Sequence, residues 1–275
     1  MSEIPLLHPE VERLAEDIAL LREELTLLLT ELDQLNLVVR PNLLALYQAR
    51  IGGWELRLLQ ARGDFARLRR EVELIQTSLN HGLPPDLREI ERRVELEFLD
   101  WRDKVREAAG RLLAAERRLK NPLTPEEDRE FKKLYYELVK RLHPDANPGL
   151  SEAQTTLWHR VQHAYSAGDA NELRALALLG EATGVATPVR SLEARRAART
   201  TLTRQITELL ARIEALQQQP PFALAAALAD EAWLATRRQE LESQIVQMTA
   251  QTAALKAHRQ QLFPGESHGP GPGKN

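Results

Sequence analysis

The stretch PEVERLAEDIALLREELTLLLTELDQL, residues 9–35, decides the fold class. Val11, Leu14, Ile18, Leu21, Leu25, Leu28, Leu32 and Leu35 recur in steps of three and four. That spacing keeps one apolar seam on a helix, while Glu12, Arg13, Glu16, Arg22, Glu23 and Glu24 stay in water. Pro41 is expected to end this helix, because proline disfavours helical geometry in the residue before it. A second seam runs through Leu44, Tyr47, Ile51, Trp54, Leu58, Ala61, Phe65, Leu68, Val72, Ile75 and Leu79, across Gly52-Gly53. Two such seams joined by a short connection predict an antiparallel coiled-coil hairpin over residues 1–82.

Asn80-His81-Gly82-Leu83-Pro84-Pro85 reads as a helix stop and restart. Residues 83–122 then predict a long connecting helix with Leu87, Ile90, Val94, Phe98, Trp101, Val105, Leu112 and Leu119 on its seam, stopped by Asn121-Pro122. A central module occupies 123–183, and Gly184 to Pro188 marks its end. Residues 184–263 predict a second antiparallel helical hairpin, its halves separated by Pro220-Pro221. One half carries Leu202, Ile206, Leu209, Ile213 and Leu216, and the other Leu234, Leu241, Ile245, Met248, Leu255 and Leu262. The Gly- and Pro-rich tail, 264–275, cannot bury enough apolar surface to order itself and is expected to be disordered. The expected fold class is all-α: long antiparallel coiled-coil hairpins flanking a central hairpin.

Composition agrees with that architecture and narrows the function classes. Leu, Glu, Arg, Ala and Gln dominate and aromatics are only 5%, the make-up of long helices rather than of a sheet-based enzyme. Cysteine is absent, which excludes disulfides and cysteine-ligated zinc or iron–sulfur sites and fits a reducing compartment. A net charge of −3 argues against wholesale phosphate binding, so no nucleic-acid partner is expected. The N-terminus has no basic segment followed by an apolar run, and every apolar stretch is soon broken by charge. The chain is therefore expected to be soluble and cytoplasmic, without a membrane partner.

No phosphate loop, nucleophile–base pair or hydrolytic carboxylate pair is recognisable, so neither enzymatic activity nor a cofactor is expected. His159 and His163 are spaced to ligate a metal from one helical face, but no third ligand is apparent. A solvated or packing role is the better reading, and no metal site is expected. Trp54, Trp101, Trp158 and Trp233 lie on or beside apolar seams and read as core.

Within the central module, Thr124-Pro125-Glu126-Glu127 has the form of a helix start: a capping threonine, proline at the first helical position and acids in the first turn. The helix over 125–142 puts Phe131, Tyr135, Leu138, Val139 and Leu142 on one face, with Lys132, Lys133, Lys140 and Arg141 away from it. His143-Pro144-Asp145-Ala146-Asn147-Pro148-Gly149 is dense in turn residues. A further helix starts at Ser151 and should bury Trp158, Val161, Ala164 and Tyr165; Gly168-Asp169 ends it and another begins near Asn171. Periodicity alone predicts an antiparallel helical hairpin with an exposed, proline-stiffened tip.

This layout resembles helices II and III of the J domain, the ATPase-stimulating module of Hsp70 co-chaperones. The family's inward positions fall on Phe131, Tyr135, Leu138 and Val139, and its basic pairs on Lys132-Lys133 and Lys140-Arg141. Its helix III pattern falls on Trp158, Val161 and Ala164-Tyr165, and Asn147-Pro148 also matches. The match covers residues 124–170. Ala146 stands where the family commonly has a base, Glu137 stands among the bases, and no ordinary helix I precedes Thr124. The end of the helix over 86–119 is expected to substitute for it.

The resemblance implies that His143, Pro144 and Asp145 dock on an ATP-bound Hsp70, with Lys132, Lys133, Lys140 and Arg141 steering the encounter. Asp145 would offer a carboxylate to an arginine, Pro144 would stiffen the tip, and His143 would cap the helix and hydrogen-bond across the interface. Two readings remain open: a co-chaperone whose coiled-coil arms recruit an unknown client or partner, and a structural adaptor with a degenerate J-like hairpin. The arms can also pair between copies, since a seam does not say whether its partner lies in the same chain.

Overall fold

The computed structural model describes residues 9–120, 124–180 and 191–262. Its regular elements are helical throughout, and no strand occurs among the described residues. The all-α class expected from the seams is what forms. The helices are α1 (Pro9–Gln34), α2 (Arg40–Tyr47), α3 (Gly53–Asn80), α4 (Leu87–Glu97), α5 (Leu99–Leu119), α6 (Pro125–Leu142), α7 (Glu152–Ala167), α8 (Ala170–Gly180), α9 (Leu192–Gln217), α10 (Ala225–Ala229) and α11 (Glu231–Leu262). The expected stop at Asn121-Pro122, the boundary at 184–188 and the tail at 264–275 lie outside the described residues.

The expected hairpin over 1–82 does not form, and Pro41 explains why. The backbone stays helical between α1 and α3, through π-helical turns at Leu35–Val39 and Gln48–Gly52. Proline breaks an α-helix by clashing with the carbonyl four residues back and by lacking an N–H. Here the π turn comes immediately before it, and the Arg40 N–H bonds to the Leu35 carbonyl five residues back. This wider turn lets Pro41 sit at the start of α2 without a break.

The described residues divide into two compact units. One is drawn from Met1–Leu44 and Asn121–Ala225, the other from Ala45–Lys120 and Ala226–Asn275. In the first, α1 packs along α9. Arg196 pairs with Glu10, Arg199 lies 3.3 Å from Asp17, and Leu25 and Leu29 share a groove with Leu209. Residue numbers rise together along both helices, so the pair is parallel. α6, α7 and α8 pack on one another, and α6 also packs on α1. One core results, joining Leu25, Leu29 and Leu32 to Tyr135, Leu138, Trp158, Leu173 and Ile206.

In the second unit, α3 packs against α4, α5 and α11. The run of α4 and α5 is antiparallel to α3: Arg70 binds Glu97 at the end of α4 at 2.7 Å, and Gly63, further back along α3, lies against Trp101 of α5. The α11 contact is parallel, with Arg57–Glu242 at 3.9 Å and Arg259–Glu71 at 2.7 Å. The one long helix expected over 83–122 is thus two helices, α4 and α5, folded back on α3. The second hairpin expected over 184–263 is corrected too, because α9 and α11 belong to different units. Each seam found a partner elsewhere in the chain. Of the four tryptophans, only Trp158 is fully buried; Trp54, Trp101 and Trp233 are half-buried.

Candidate functional site

The candidate site is the turn between α6 and α7. α6 begins in a capping box: Thr124 Oγ1 accepts the Glu127 N–H, and Glu127 Oε2 accepts the Thr124 N–H at 2.9 Å. Two otherwise orphaned donors are satisfied, and Pro125 at the first helical position has none to lose. Phe131, Tyr135, Leu138, Val139 and Leu142 are buried, as the 3.6-residue period requires. α7 starts the same way, with Ser151 and Gln154 bonding reciprocally. It ends at Gly168, whose φ of 73° is left-handed and lets the Asp169 N–H reach the Ala164 carbonyl.

His143 leaves the helix in extended geometry, the form Pro144 imposes on its predecessor. Its N–H still donates to the Val139 carbonyl at 3.0 Å. Asn147 closes the turn: its backbone N–H donates to the His143 carbonyl at 2.9 Å, and its side-chain Nδ2 to Lys140 O at 3.1 Å. The Asp145 N–H donates to His143 Nδ1 at 3.0 Å. Pro144 and Asp145 are exposed, whereas His143 is only 9% exposed.

That burial corrects one expectation. The imidazole does not face outward, because it lies edge-on to Trp158 at 5.0 Å between ring centroids. Its ring holds the turn from within, and burial lowers its pKa below the ordinary histidine value. Behind it is an aromatic column. Tyr135 stacks on Tyr165 at 3.6 Å and lies 5.8 Å from Trp158; Phe131 also stacks on Tyr165, at 4.9 Å.

Two acids of α1 meet this module. Tyr135 donates its hydroxyl to Asp33 Oδ2 at 2.7 Å. Burial raises the Asp33 carboxyl above its usual range, and the Tyr135 hydrogen bond opposes that rise. Glu23 accepts from Tyr136 and lies 3.1 Å from Lys140 Nζ. Partial burial and the bond to Glu23 push the Tyr136 phenol up to about 12.

The basic residues differ from one another. Lys132 pairs with Asp128 at 2.7 Å, Arg141 is 3.9 Å from Glu137, and Lys140 is held by Glu23. Lys133 is exposed and has no ion pair among the described residues. Lys140 and Arg141 are next to the turn, whereas Lys132 and Lys133 lie two turns or more back along α6. Ala146 is half-buried and packs on the core, so that position faces inward here. The helix before Thr124, expected to lie against this hairpin, belongs to the other compact unit, and α8 and α1 pack on the hairpin. His159 and His163 are both exposed on α7.

Sequence reading missed Asp33, Glu23 and the capping role of Asn147. Asp33 and Glu23 look like the other wet-face acids of α1, and only the packing of α6 across α1 distinguishes them. Asn147 did carry a signal, since asparagine after a helix often caps exposed carbonyls. No helix among the described residues is long and apolar enough to cross a membrane. No family model matches the chain, and no curated protein or solved structure is significantly similar to it.

Proposed function

We propose that this chain is a J-domain-like co-chaperone that docks on an ATP-bound Hsp70 through the α6–α7 turn and stimulates its ATPase. The observation that carries the reading is the pair Pro144 and Asp145, exposed at the tip of a hairpin whose turn is fixed from inside by His143 and Asn147. A tip already held in one conformation loses little entropy on binding. Asp145 offers an exposed carboxylate to an arginine, and Lys133, Lys140 and Arg141 supply positive charge for an acidic partner surface. His143 supports the turn rather than touching the partner. ATP hydrolysis belongs to the Hsp70, so the chain needs neither a cofactor nor chemistry of its own. The unit built on α3, α5 and α11 is assigned to recruitment of a client, a partner or a second copy, and the cytoplasm is the compartment where such a pair meets.

A second reading, a structural adaptor that does not activate Hsp70, draws support from Glu23, which already occupies Lys140. Single-turnover ATP hydrolysis by the host's Hsp70 proteins separates the two. The co-chaperone reading expects stimulation by the unaltered protein and its loss in Asp145→Asn, with helix content unchanged by circular dichroism. No stimulation of any host Hsp70, or equal stimulation by both proteins, would favour the adaptor.

A further inference from the structure

We infer that Asp33 of α1 is a positioning residue for the His143-Pro144-Asp145 turn, acting through Tyr135 and Trp158. Its consequence for activity rests on the co-chaperone reading; its structural role does not.

Asp33 is far from the turn in sequence, but its carboxylate is the acceptor for the hydroxyl of Tyr135. Tyr135 has no solvent exposure, so its hydroxyl needs a protein partner, and losing that partner would leave a buried donor unsatisfied. The ring to which this hydroxyl belongs cannot shift alone. One face lies on Tyr165 at 3.6 Å, and Trp158 is tilted against it at 5.8 Å. Trp158 in turn presents itself to the His143 ring at 5.0 Å, and His143 Nδ1 holds the Asp145 N–H. The middle links join the buried rings of Tyr135, Trp158 and His143 in close packing, where displacement of one member is felt by the next. The chain of contacts therefore runs from a carboxylate on α1 to the backbone of the exposed tip.

Charge reinforces the link. Asp33 feels the charges of His143, Asp145 and Arg212 of α9, and His143 feels those of Asp33 and Asp145. The Asp33 carboxylate favours the imidazolium form of His143, while burial opposes it. Glu23 offers a comparison on the same helix, since it grips α6 through Tyr136 and Lys140 without touching the aromatic column.

The test uses the full-length protein with isotope-labelled histidine and backbone nitrogen, followed by NMR. Asp33→Asn removes the charge at nearly constant size, and Tyr135→Phe removes the donor. Both are expected to move the His143 ring signals and the Asp145 amide, and to leave His159 and His163 in place. In Asp33→Asn the His143 titration midpoint should shift to lower pH. Glu23→Gln should leave His143 where it is, which a general loosening of α1 would not do.

The Hsp70 arm expects a lower maximal stimulation in both Asp33→Asn and Tyr135→Phe. Folded variants in which His143 and Asp145 are unmoved would overturn the inference, as would equal displacement by Glu23→Gln. If the unaltered protein stimulates no Hsp70, the co-chaperone reading fails, and the NMR arm still decides the role of Asp33.

Discussion

The backbone N–H of Asp145 donates to Nδ1 of His143 at 3.0 Å, so the acid at the tip is held by the histidine of its own turn. An imidazole can accept there only while Nδ1 carries no proton, which puts the ring proton on Nε2. Burial disfavours the charged ring and lowers its pKa. The turn is thus made for neutral His143.

A pH dependence follows. A histidine whose folded pKa lies below its unfolded value binds fewer protons when folded, so stability increases with pH between the two values. The contribution is complete above the unfolded value of about 6.5 and is lost as pH falls through the folded one. Asp33 has the opposite sign: its raised carboxyl favours folding at the acid end, and that gain disappears as pH rises through its folded value. Urea unfolding across this range should show stability falling on acidification, with a smaller slope in His143→Gln. Equal slopes in the two proteins, each measured also with Asp33→Asn, would remove His143 from the account.

Trp158 is 2% exposed and is the contact between Tyr135 and His143. Trp158→Ala is expected to cost about 3–5 kcal/mol, the usual range for deleting a buried aromatic. Near-ultraviolet circular dichroism and urea titration would check it. A loss below about 1 kcal/mol would show that the column collapses to fill the space, since the cost depends on how far a site can close.

Much of this hairpin was legible in the sequence because its signals are local. Thr124 with Glu127 and Ser151 with Gln154 are capping boxes, and Gly168 is a left-handed stop, so both helix ends can be read from neighbours. The buried set Phe131, Tyr135, Leu138, Val139 and Leu142 follows from period alone. Pairing was not legible. The seam of α1 demands an apolar partner without naming it, and α9 supplies one as well as α3 could have done. Pro41 misled for a definite reason: its effect depends on the turn before it, and a π turn at Leu35–Val39 is not written in any one residue. Asp33 was invisible because its role comes from a hydroxyl contributed by a remote helix.

Two helix-interior glycines should respond to alanine in opposite directions. At Gly110 in α5 an added Cβ meets nothing within 4 Å. Gly110→Ala should stabilise by about 0.5–1 kcal/mol, through lower backbone entropy in the unfolded chain. At Gly63 in α3 the added Cβ would collide with Nε1 of Trp101. Trp101 must move, and overpacking of this kind costs about 1–3 kcal/mol, which outweighs the helical gain. Thermal unfolding ranks the two, and the tryptophan emission of Gly63→Ala should shift while that of Gly110→Ala does not.

Glu23 makes a prediction about association. It lies 3.1 Å from Lys140 Nζ and also accepts from Tyr136, so one cation next to the turn is already occupied within the chain. On the co-chaperone reading an acidic partner must compete with Glu23 for Lys140. Glu23→Gln removes that competitor and raises the local positive charge. Charges at the edge of an interface act mainly on the association rate and its salt dependence. Glu23→Gln should therefore bind an ATP-bound Hsp70 faster at low salt, with a steeper fall as salt rises and little change in dissociation. Lys140→Gln should do the reverse, and the double variant should resemble Lys140→Gln alone, because Glu23 then has no cation left to release. Surface plasmon resonance at two ionic strengths reads all three. If Glu23→Gln gives the same gain whether or not Lys140 is present, the effect comes from net charge and not from the pair, and Lys140 is outside the encounter surface.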